Sequence, residues 1–260
     1  MKKILSLLIL IIFVSKAAEG QPPDTKKKKT GKGVIYFALG SHRIFFTPGN
    51  IHINRGGASS LDFTLEKVRG RDEGGLKWET APQFSYTVGY YFTRKKFGIE
   101  YQYDHIKYFV RQNQVVRLKG TMEGYDYDKD TLITPDFFQL EHSDGGNYAM
   151  FNLVKWLPLA SDKDKKYTLS LLIKGGIGFV NPKTNSRIAG QHRDDKYHLS
   201  GYVAGIESGL RFNIGKNFFV TGSFKGAYAN YNDFLIANGR GKQQWFSGQL
   251  NYLIGGQFPL

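Results

Sequence analysis

The chain has 260 residues, a formal net charge of +14 and no cysteine, and it is rich in Gly, Phe and Tyr, with 31, 20 and 16 residues. The missing cysteine excludes disulfides, thiol chemistry and cysteine-based zinc sites. The length allows one large all-β domain or two small ones, and the composition is typical of strands and turns.

The N-terminus has the pattern of a secretory signal peptide. Two lysines precede an apolar run over residues 4–14, and small residues follow it. The run is too short to cross a bilayer comfortably as a helix, so we expect export and removal of residues 1–20. Residues 21–32 are predicted to form a flexible basic linker. For an exported chain, the positive charge favours lipid headgroups and lipopolysaccharide phosphates as partners rather than nucleic acid.

After residue 32 the sequence predicts eight strands in which apolar and polar residues alternate. Their ranges are 33–46, 82–92, 97–109, 147–159, 167–179, 197–214, 218–231 and 244–258. The connections after the second, fourth and sixth strands are short, whereas those after the first, third, fifth and seventh are long and polar. Within the first long connection, residues 51–54 and 61–68 also alternate and predict a hairpin that extends beyond the main sheet.

The third predicted strand shows the alternation most clearly. Its aromatic and aliphatic residues, from Phe97 and Ile99 onward, share one face, while Glu100 and Gln102 share the other. A soluble sandwich would turn the apolar face inward, whereas a transmembrane barrel turns it towards lipid. The strict alternation of short and long connections favours the barrel, because it places all short turns at one end.

The predicted fold over residues 33–260 is therefore an all-β, eight-stranded antiparallel transmembrane β-barrel. Its strands form an up-and-down meander with short periplasmic turns and long extracellular loops. The last strand is rich in aromatic residues and ends Tyr252-Leu253-Ile254-Gly255-Gly256-Gln257-Phe258-Pro259-Leu260.

In these features the chain resembles the small eight-stranded outer-membrane barrel proteins of Gram-negative bacteria, the OmpA- and OmpX-like group. Members of that group often end in an aromatic residue, which looks like the signal that the barrel-assembly machinery reads. Here Phe258 is third from the end. The resemblance implies a fold and an outer-membrane location but no particular activity.

The interior of an eight-stranded barrel is just wide enough for side chains to fill it. The residues predicted to point inward are Glu100, Gln102, Lys174, Glu207, Arg211, Asn213, Lys225, Gln249 and Asn251. We expect these carboxylates and cations to pair, because unpaired charges in a narrow interior carry a steep desolvation cost. The alternative is a narrow polar path for ions or small solutes.

Two groups of residues near the predicted outer rim are candidate catalytic residues. Asp104 and His105 lie towards the outer end of the third strand, and His142, Ser143 and Asp144 precede the fourth. The two segments could approach each other, so acid, base and nucleophile types fall in one region. The second group is the pair His198 and Ser200 in the sixth strand. Its spacing is similar to the His-x-Ser pair of lipid A 3-O-deacylases, and lipid A palmitoyltransferases also use a rim histidine.

The alternation argues against this second group. It places His198 and Ser200 on the lipid side of the predicted strand and Glu207 on the interior side. An acid on the opposite face cannot complete a catalytic triad with them.

Asp126, Asp128 and Asp130 have the opening spacing of a calcium-binding loop. The sixth and twelfth positions are Thr131 and Phe137 instead of Gly and Glu, so the loop is not an EF-hand. We expect an acidic surface loop, with loose binding of a divalent cation as the alternative.

The sequence thus predicts a monomer without cofactors, with a structural or surface-interaction role carried by the external loops. Its expected partners are outer-membrane lipids, lipopolysaccharide and, during biogenesis, the assembly machinery. A narrow channel and a lipid A-modifying enzyme are the two alternative functions.

Overall fold

The computed structural model describes residues 33–57, 59–72, 83–142, 145–194 and 196–260. The predicted signal peptide and linker, residues 1–20 and 21–32, lie outside these residues. The regular elements of the described chain are all strands, which pair antiparallel. A search of the described residues finds no helix with the length and hydropathy needed to span a bilayer.

The strands, numbered in chain order, are β1 (Val34–Phe46), β2 (Gly49–Arg55), β3 (Leu61–Val68), β4 (Gly70–Arg71), β5 (Ser85–Phe92), β6 (Phe97–Asp104), β7 (Tyr108–Val110), β8 (Val115–Met122), β9 (Tyr125–Leu132), β10 (Phe138–His142), β11 (Tyr148–Ser161), β12 (Tyr167–Val180), β13 (Asn185–Ile188), β14 (Gln191–Asp194), β15 (Gly201–Ile214), β16 (Phe218–Ile236) and β17 (Gly239–Pro259).

Eight of these strands pair in the order β1, β5, β6, β11, β12, β15, β16 and β17. The last strand also pairs with the first, from Ser247 opposite Phe46 to Pro259 opposite Val34. The pairings therefore return to their starting point, and we call these eight strands the main strands. Three short turns join them at one end, over residues 93–96, 162–166 and 215–217, and we call this end the short-turn end.

The predicted alternation is confirmed in β6. Ile99 is exposed, whereas Glu100, Gln102 and Asp104 are buried. Every main strand exposes at least one large apolar side chain on the opposite face. These include Ile35, Phe37, Leu39, Val88, Ile99, Phe151, Leu153, Ile173, Ile177, Ile206, Leu210, Phe218, Phe224, Leu250 and Ile254.

The buried face points to the inside of the circle of strands. Tyr36 of β1 donates a hydrogen bond to Glu100 of β6 at 3.0 Å, and Lys225 of β16 contacts Asp104 of β6. The strands in each pair are not neighbours in the sheet, so their side chains can meet only across the interior.

The long connections are folded, which corrects the prediction of long polar loops. Strands β2, β3, β8 and β9 extend the sheet from the outer part of β17, and β14, β13, β10, β7 and β4 form a second sheet. The predicted hairpin over residues 51–54 and 61–68 is confirmed as the pair β2 and β3. We call these nine strands the outer strands.

An apolar core explains why these connections fold. Ile51 and Ile53 of β2 and Leu61, Phe63 and Leu65 of β3 alternate with polar residues and are buried, and strands of the second sheet supply further members. The core includes Ile51, Ile53, Phe63, Leu65, Tyr108, Phe138, Leu140, Phe234 and Trp245. The intervening polar residues face outward, so a sequence that looks polar on average still buries one face.

Four predicted strand boundaries were wrong. The third strand ends at Asp104, because residues 105–107 leave it and β7 joins the second sheet. The sixth begins at Gly201 instead of residue 197. The last two strands continue through the predicted loop over residues 232–243, because Phe234 and Ile236 are buried in the outer core.

Candidate functional site

The middle of the interior holds a three-residue charge network. Lys174 Nζ lies 2.8 Å from Glu100 Oε1 and 3.4 Å from Glu207 Oε1. Tyr36 donates a hydrogen bond to the other oxygen of Glu100, and Ser223 donates to Glu207 at 2.6 Å. All three charged side chains are almost fully buried. Lys174 of β12 thus contacts one carboxylate on β6, two strands away, and one on the neighbouring strand β15.

A second network lies nearer the outer strands. Lys225 pairs with Asp104, which also accepts hydrogen bonds from Ser85 Oγ at 2.6 Å and Gln102 Nε2 at 3.1 Å. The same serine oxygen lies 2.9 Å from Nδ1 of His42. A hydroxyl carries one proton, which Ser85 gives to the carboxylate, so His42 must donate to the serine.

Asp104 is an interior residue that the sequence analysis missed. It was considered only as a neighbour of the rim histidine His105. Its inward position could nevertheless have been predicted from the sequence, because Asp104 continues the face of the strand that carries Glu100 and Gln102. With Asp104, the interior holds three carboxylates and three cations, so its side-chain charges balance.

Arg211 lies near the short-turn end, where aromatic rings surround it. Its guanidinium carbon is 3.4 Å from the ring centre of Phe219, 4.1 Å from that of Trp156 and 5.4 Å from that of Tyr36. The guanidinium also donates hydrogen bonds to Asn213 and Gln257. Among the described residues it forms no ion pair, so the expected pairing of all interior charges is wrong for this residue.

Aromatic side chains also fill the interior at its other end. Trp245 Nε1 donates to the hydroxyl of Tyr148 at 2.9 Å, which joins β17 to β11 across the circle. The indole stacks on Tyr108 at 4.6 Å, and Tyr231 stacks on His142 at 5.1 Å. The charged middle of the interior therefore lies between two aromatic layers.

One wall of the interior carries polar atoms without a hydrogen-bond partner among the described residues. They belong to neighbouring main strands and are His42 Nε2, Glu207 Oε2, Thr221 Oγ1, Gln249 Oε1 and Asn251 Nδ2. Buried polar atoms of this kind are usually satisfied by ordered water. This wall is the best geometric support for a hydrated path.

The structure gives the candidate rim histidines separate partners. His105 Nδ1 lies 2.9 Å from Asn147 Oδ1, and its ring stacks on Phe84. His142 Nδ1 lies 2.9 Å from Thr184 Oγ1. Asp104, the acid next to His105 in sequence, pairs with Lys225 in the interior. Ser143 and Asp144 lie outside the described residues.

Burial makes His142 a poor base. Its imidazole is packed among aromatic rings, and this desolvation lowers its pKa from about 6.5 to about 3. A histidine with this pKa is neutral and weakly basic at physiological pH, which does not suit a general base.

The facing predicted for His198 and Ser200 is wrong, because both residues precede β15. Ser200 is buried, and its hydroxyl donates to the backbone oxygens of His198 and Asp233 at 3.0 and 3.1 Å. His198 Nε2 lies 2.9 Å from Asp233 Oδ2, and Arg240 approaches the same carboxylate. The serine hydroxyl thus points to backbone rather than to the imidazole, and the two do not form a nucleophile–base pair.

The three candidate calcium ligands lie on β9. Arg117 of β8 donates hydrogen bonds to Asp128 at 2.6 Å and to Asp130 at 3.3 Å, and Thr121 donates to Asp126 at 2.8 Å. The arginine holds the pKa of Asp128 below its usual value. No cluster of three or more His, Cys, Asp or Glu side chains within the described ranges is placed to hold a metal ion. The structure gives the calcium prediction no support.

No family model matches the sequence, and a search of curated proteins also finds no match. Among solved structures, the N-terminal β-barrel domain of Pseudomonas aeruginosa OprF is 14% identical, with 88% of this chain and 100% of that chain covered and a TM-score of 0.37. The outer membrane protein OprG of the same species is 11% identical, with 89% and 98% covered and a TM-score of 0.36.

Ail, the attachment invasion locus protein of Yersinia pestis, is 13% identical, with 87% of this chain and 99% of that chain covered and a TM-score of 0.30. These similar structures are small outer-membrane β-barrel proteins of Gram-negative bacteria. At such identities and TM-scores, the similarity supports no conclusion about what this chain does.

Proposed function

We propose that the chain is a closed, eight-stranded transmembrane β-barrel of the outer membrane, and that it acts as a surface-interaction protein through its outer strands. The circular pairing of the main strands supports closure, because it leaves none of them as an edge. The exposed apolar face of every main strand supports contact with lipid.

Aromatic side chains flank this apolar face on both sides. Near the short-turn end, exposed or half-exposed rings contact one another in the pairs Phe92–Phe97 and Tyr167–Phe212. Towards the outer strands, Phe84, Tyr103 and Tyr86 stack in a row, and Tyr228 lies between Tyr202 and Phe246. Two aromatic belts around an aliphatic middle are typical of outer-membrane barrels.

The length of β12 fits a membrane. Tyr167 and Phe179 are exposed near its two ends. At about 3.3 Å per residue and a tilt of about 40°, the separation between them corresponds to a height of roughly 30 Å. The outward apolar band of such barrels is about 25 Å tall, so these rings fall near its borders.

The filled interior is the observation that carries the proposed role. Lys174 links β12 to carboxylates on β6 and β15 in the middle, Arg211 and its aromatic neighbours fill the short-turn end, and Tyr148 and Trp245 bond across the other end. A barrel filled in this way is unsuited to conduction, so we assign the role to the surface of the outer strands.

The outer strands offer such a surface on the sheet formed by β2, β3, β8 and β9. One face packs on the apolar core, while the other carries both charge signs, including the pairs Arg117–Asp128 and Lys119–Glu66. β9 pairs only with β8 among the described strands, so its outer edge is open to a further strand. We propose this face and edge as the interaction surface, with lipopolysaccharide phosphates as neighbours of the external cations.

Planar bilayer recordings test the assigned role. The reconstituted protein should show no stepwise conductance, because side chains fill the interior at both ends and in the middle. Steady single-channel steps that change when Arg211 is replaced by Ala would overturn the role and support the alternative, a narrow path along the polar wall that includes His42 and Asn251.

Cysteine labelling tests the orientation. The chain has no native cysteine, so Lys129→Cys in β9 and Lys216→Cys in a short turn each give one reactive site. A membrane-impermeant maleimide should label Lys129→Cys on intact cells and label Lys216→Cys only after the outer membrane is opened. The reverse pattern would contradict the proposed orientation.

A further inference from the structure

We infer that the short-turn end of the barrel binds anionic phospholipid headgroups of the inner leaflet of the outer membrane. This inference rests on the proposed function, because it requires the main strands to cross the membrane. Its basis is the placement of positive charge, which differs between the two ends of the molecule.

Each of the three short turns carries exposed cations. The first contains Arg94, Lys95 and Lys96, and the third contains Lys216. The second contains three lysines, at positions 163, 165 and 166, together with two aspartates. Lys155 of β11 is exposed one residue beyond the last pair with β6, Val154 opposite Gly98, so it lies beside the first short turn. Among the described residues, the short-turn end thus carries eight exposed side-chain cations against two side-chain carboxylates.

The two aspartates do not neutralise this charge locally. Asp162 accepts the backbone N–H of Tyr167 at 2.9 Å, which stabilises the second turn. In the described part of the chain, none of the eight cations is within ion-pair distance of a carboxylate. At the other end, by contrast, cations and carboxylates are interspersed and several are paired, as Arg117 and Lys119 show.

The position of the cations beside the apolar face identifies the partner as lipid. Lys155 follows Phe151 and Leu153 on the same exposed face of β11. Lys166 Nζ lies 5.4 Å from the ring centre of Tyr167, an exposed member of the aromatic belt. Lysines beside an aromatic belt extend their ammonium groups to the headgroup level of a membrane.

An anionic lipid fits this arrangement of cations and apolar side chains better than a soluble anion does. Lys216 lies between Ile214 and Phe218, which are both exposed. A phosphodiester headgroup brings its charge to the cations while its acyl chains cover such apolar neighbours. Each cation near a charged headgroup should favour an anionic lipid over a zwitterionic one by about fivefold.

The test compares the full chain with two triple variants that lose the same charge. The turn variant, Lys95→Gln, Lys166→Gln and Lys216→Gln, removes one lysine from each short turn. The outer variant, Lys119→Gln, Lys129→Gln and Lys242→Gln, removes two lysines from the outer strands and one from the part of β17 that pairs with β2. Each protein is purified in detergent and mixed with equal amounts of phosphatidylglycerol and phosphatidylcholine, and native mass spectrometry counts the bound lipids.

We expect the full chain to bind phosphatidylglycerol at least about fivefold more than phosphatidylcholine, and we expect salt to weaken this preference. The turn variant should lose at least about two thirds of the preference, while the outer variant should retain it. An absent preference in the full chain, an unchanged preference in the turn variant, or an equal loss in both variants would overturn the inference.

A separate measurement keeps this result distinct from the proposed function. Alkaline extraction of membranes that contain the full chain shows whether it is inserted. A chain that is extracted contradicts the membrane barrel itself. A chain that stays in the membrane but shows no lipid preference contradicts only the inference about the short-turn end.

Discussion

Replacement of Lys174 by Met removes the cation that joins two buried carboxylates. The ammonium lies 2.8 Å from Glu100 and 3.4 Å from Glu207. At an effective dielectric constant of about 20, these distances correspond to attractions of about 6 and about 5 kcal/mol. The desolvation of Lys174 offsets much of this, so we expect a net loss of about 3–5 kcal/mol, the usual effect of removing one partner from a buried pair.

Urea unfolding of the protein in lipid vesicles measures this loss, with the fluorescence of Trp156 and Trp245 as the signal. The triple variant Lys174→Met, Glu100→Gln and Glu207→Gln should recover most of the free energy of unfolding, because it removes the two carboxylates that the single variant leaves unpaired.

The exposed control Lys129→Met should change the free energy of unfolding by less than about 0.5 kcal/mol. The reasoning fails if Lys174→Met unfolds within about 1 kcal/mol of the wild type, or if the triple variant is no more stable than the single one.

Three further predictions concern other parts of the molecule. Arg211→Met should cost less stability than Lys174→Met in the same assay, because Arg211 leaves no carboxylate unpaired. Gly89→Val should destabilise the protein by about 1–3 kcal/mol, because a Cβ there meets the ring of Tyr36, whereas Gly222→Val has free space and should unfold like the wild type. The lowered pKa of His142 means that the unfolded chain binds a proton more readily than the folded chain does. The stability of the outer strands should therefore fall by about 1.4 kcal/mol per pH unit as the pH drops from about 6.5 towards 3. Hydrogen exchange of β10 at pH 5 and pH 7 measures this loss in the wild type, and the variant His142→Gln should not show it.

The sequence predicted the main strands well because their physical signal is local. A strand with an apolar outer face and a polar buried face must alternate at every residue, and the burial of β6 does so from Phe97 to Asp104. The same period identified Lys174, Glu207, Arg211 and Lys225 as interior residues, and all four are buried.

The outer strands were harder to predict because their buried face is apolar and their exposed face is polar, the reverse of the main strands. Their exposed face is in water, so it is polar, and only every second residue is apolar. In β8 and β9 even the exposed positions mix Asp, Lys and Tyr, so their average composition is that of a loop. The core that orders them is assembled from distant segments, such as Ile51, Phe138 and Phe234.

The candidate sites also depended on contacts that spacing along the sequence does not predict. Sequence spacing placed His198 near Ser200, but the hydroxyl of Ser200 bonds to backbone oxygens, one of them on Asp233 in β16. Spacing also grouped the three aspartates of β9, but Arg117 on the neighbouring strand donates hydrogen bonds to two of them. A hydrogen-bond partner on another strand cannot be read from spacing along one strand.

The sequence by itself determined the alternating strands, their inward residues and the end at which the short turns lie. These properties depend on neighbours one to four residues apart. Only the tertiary structure decided that Lys174 bridges two carboxylates, that aromatic rings enclose Arg211, and that the long connections form sheets. Each of these depends on contacts between strands that are distant in the sequence, and the pairing and register of the strands set those distances, while local sequence does not.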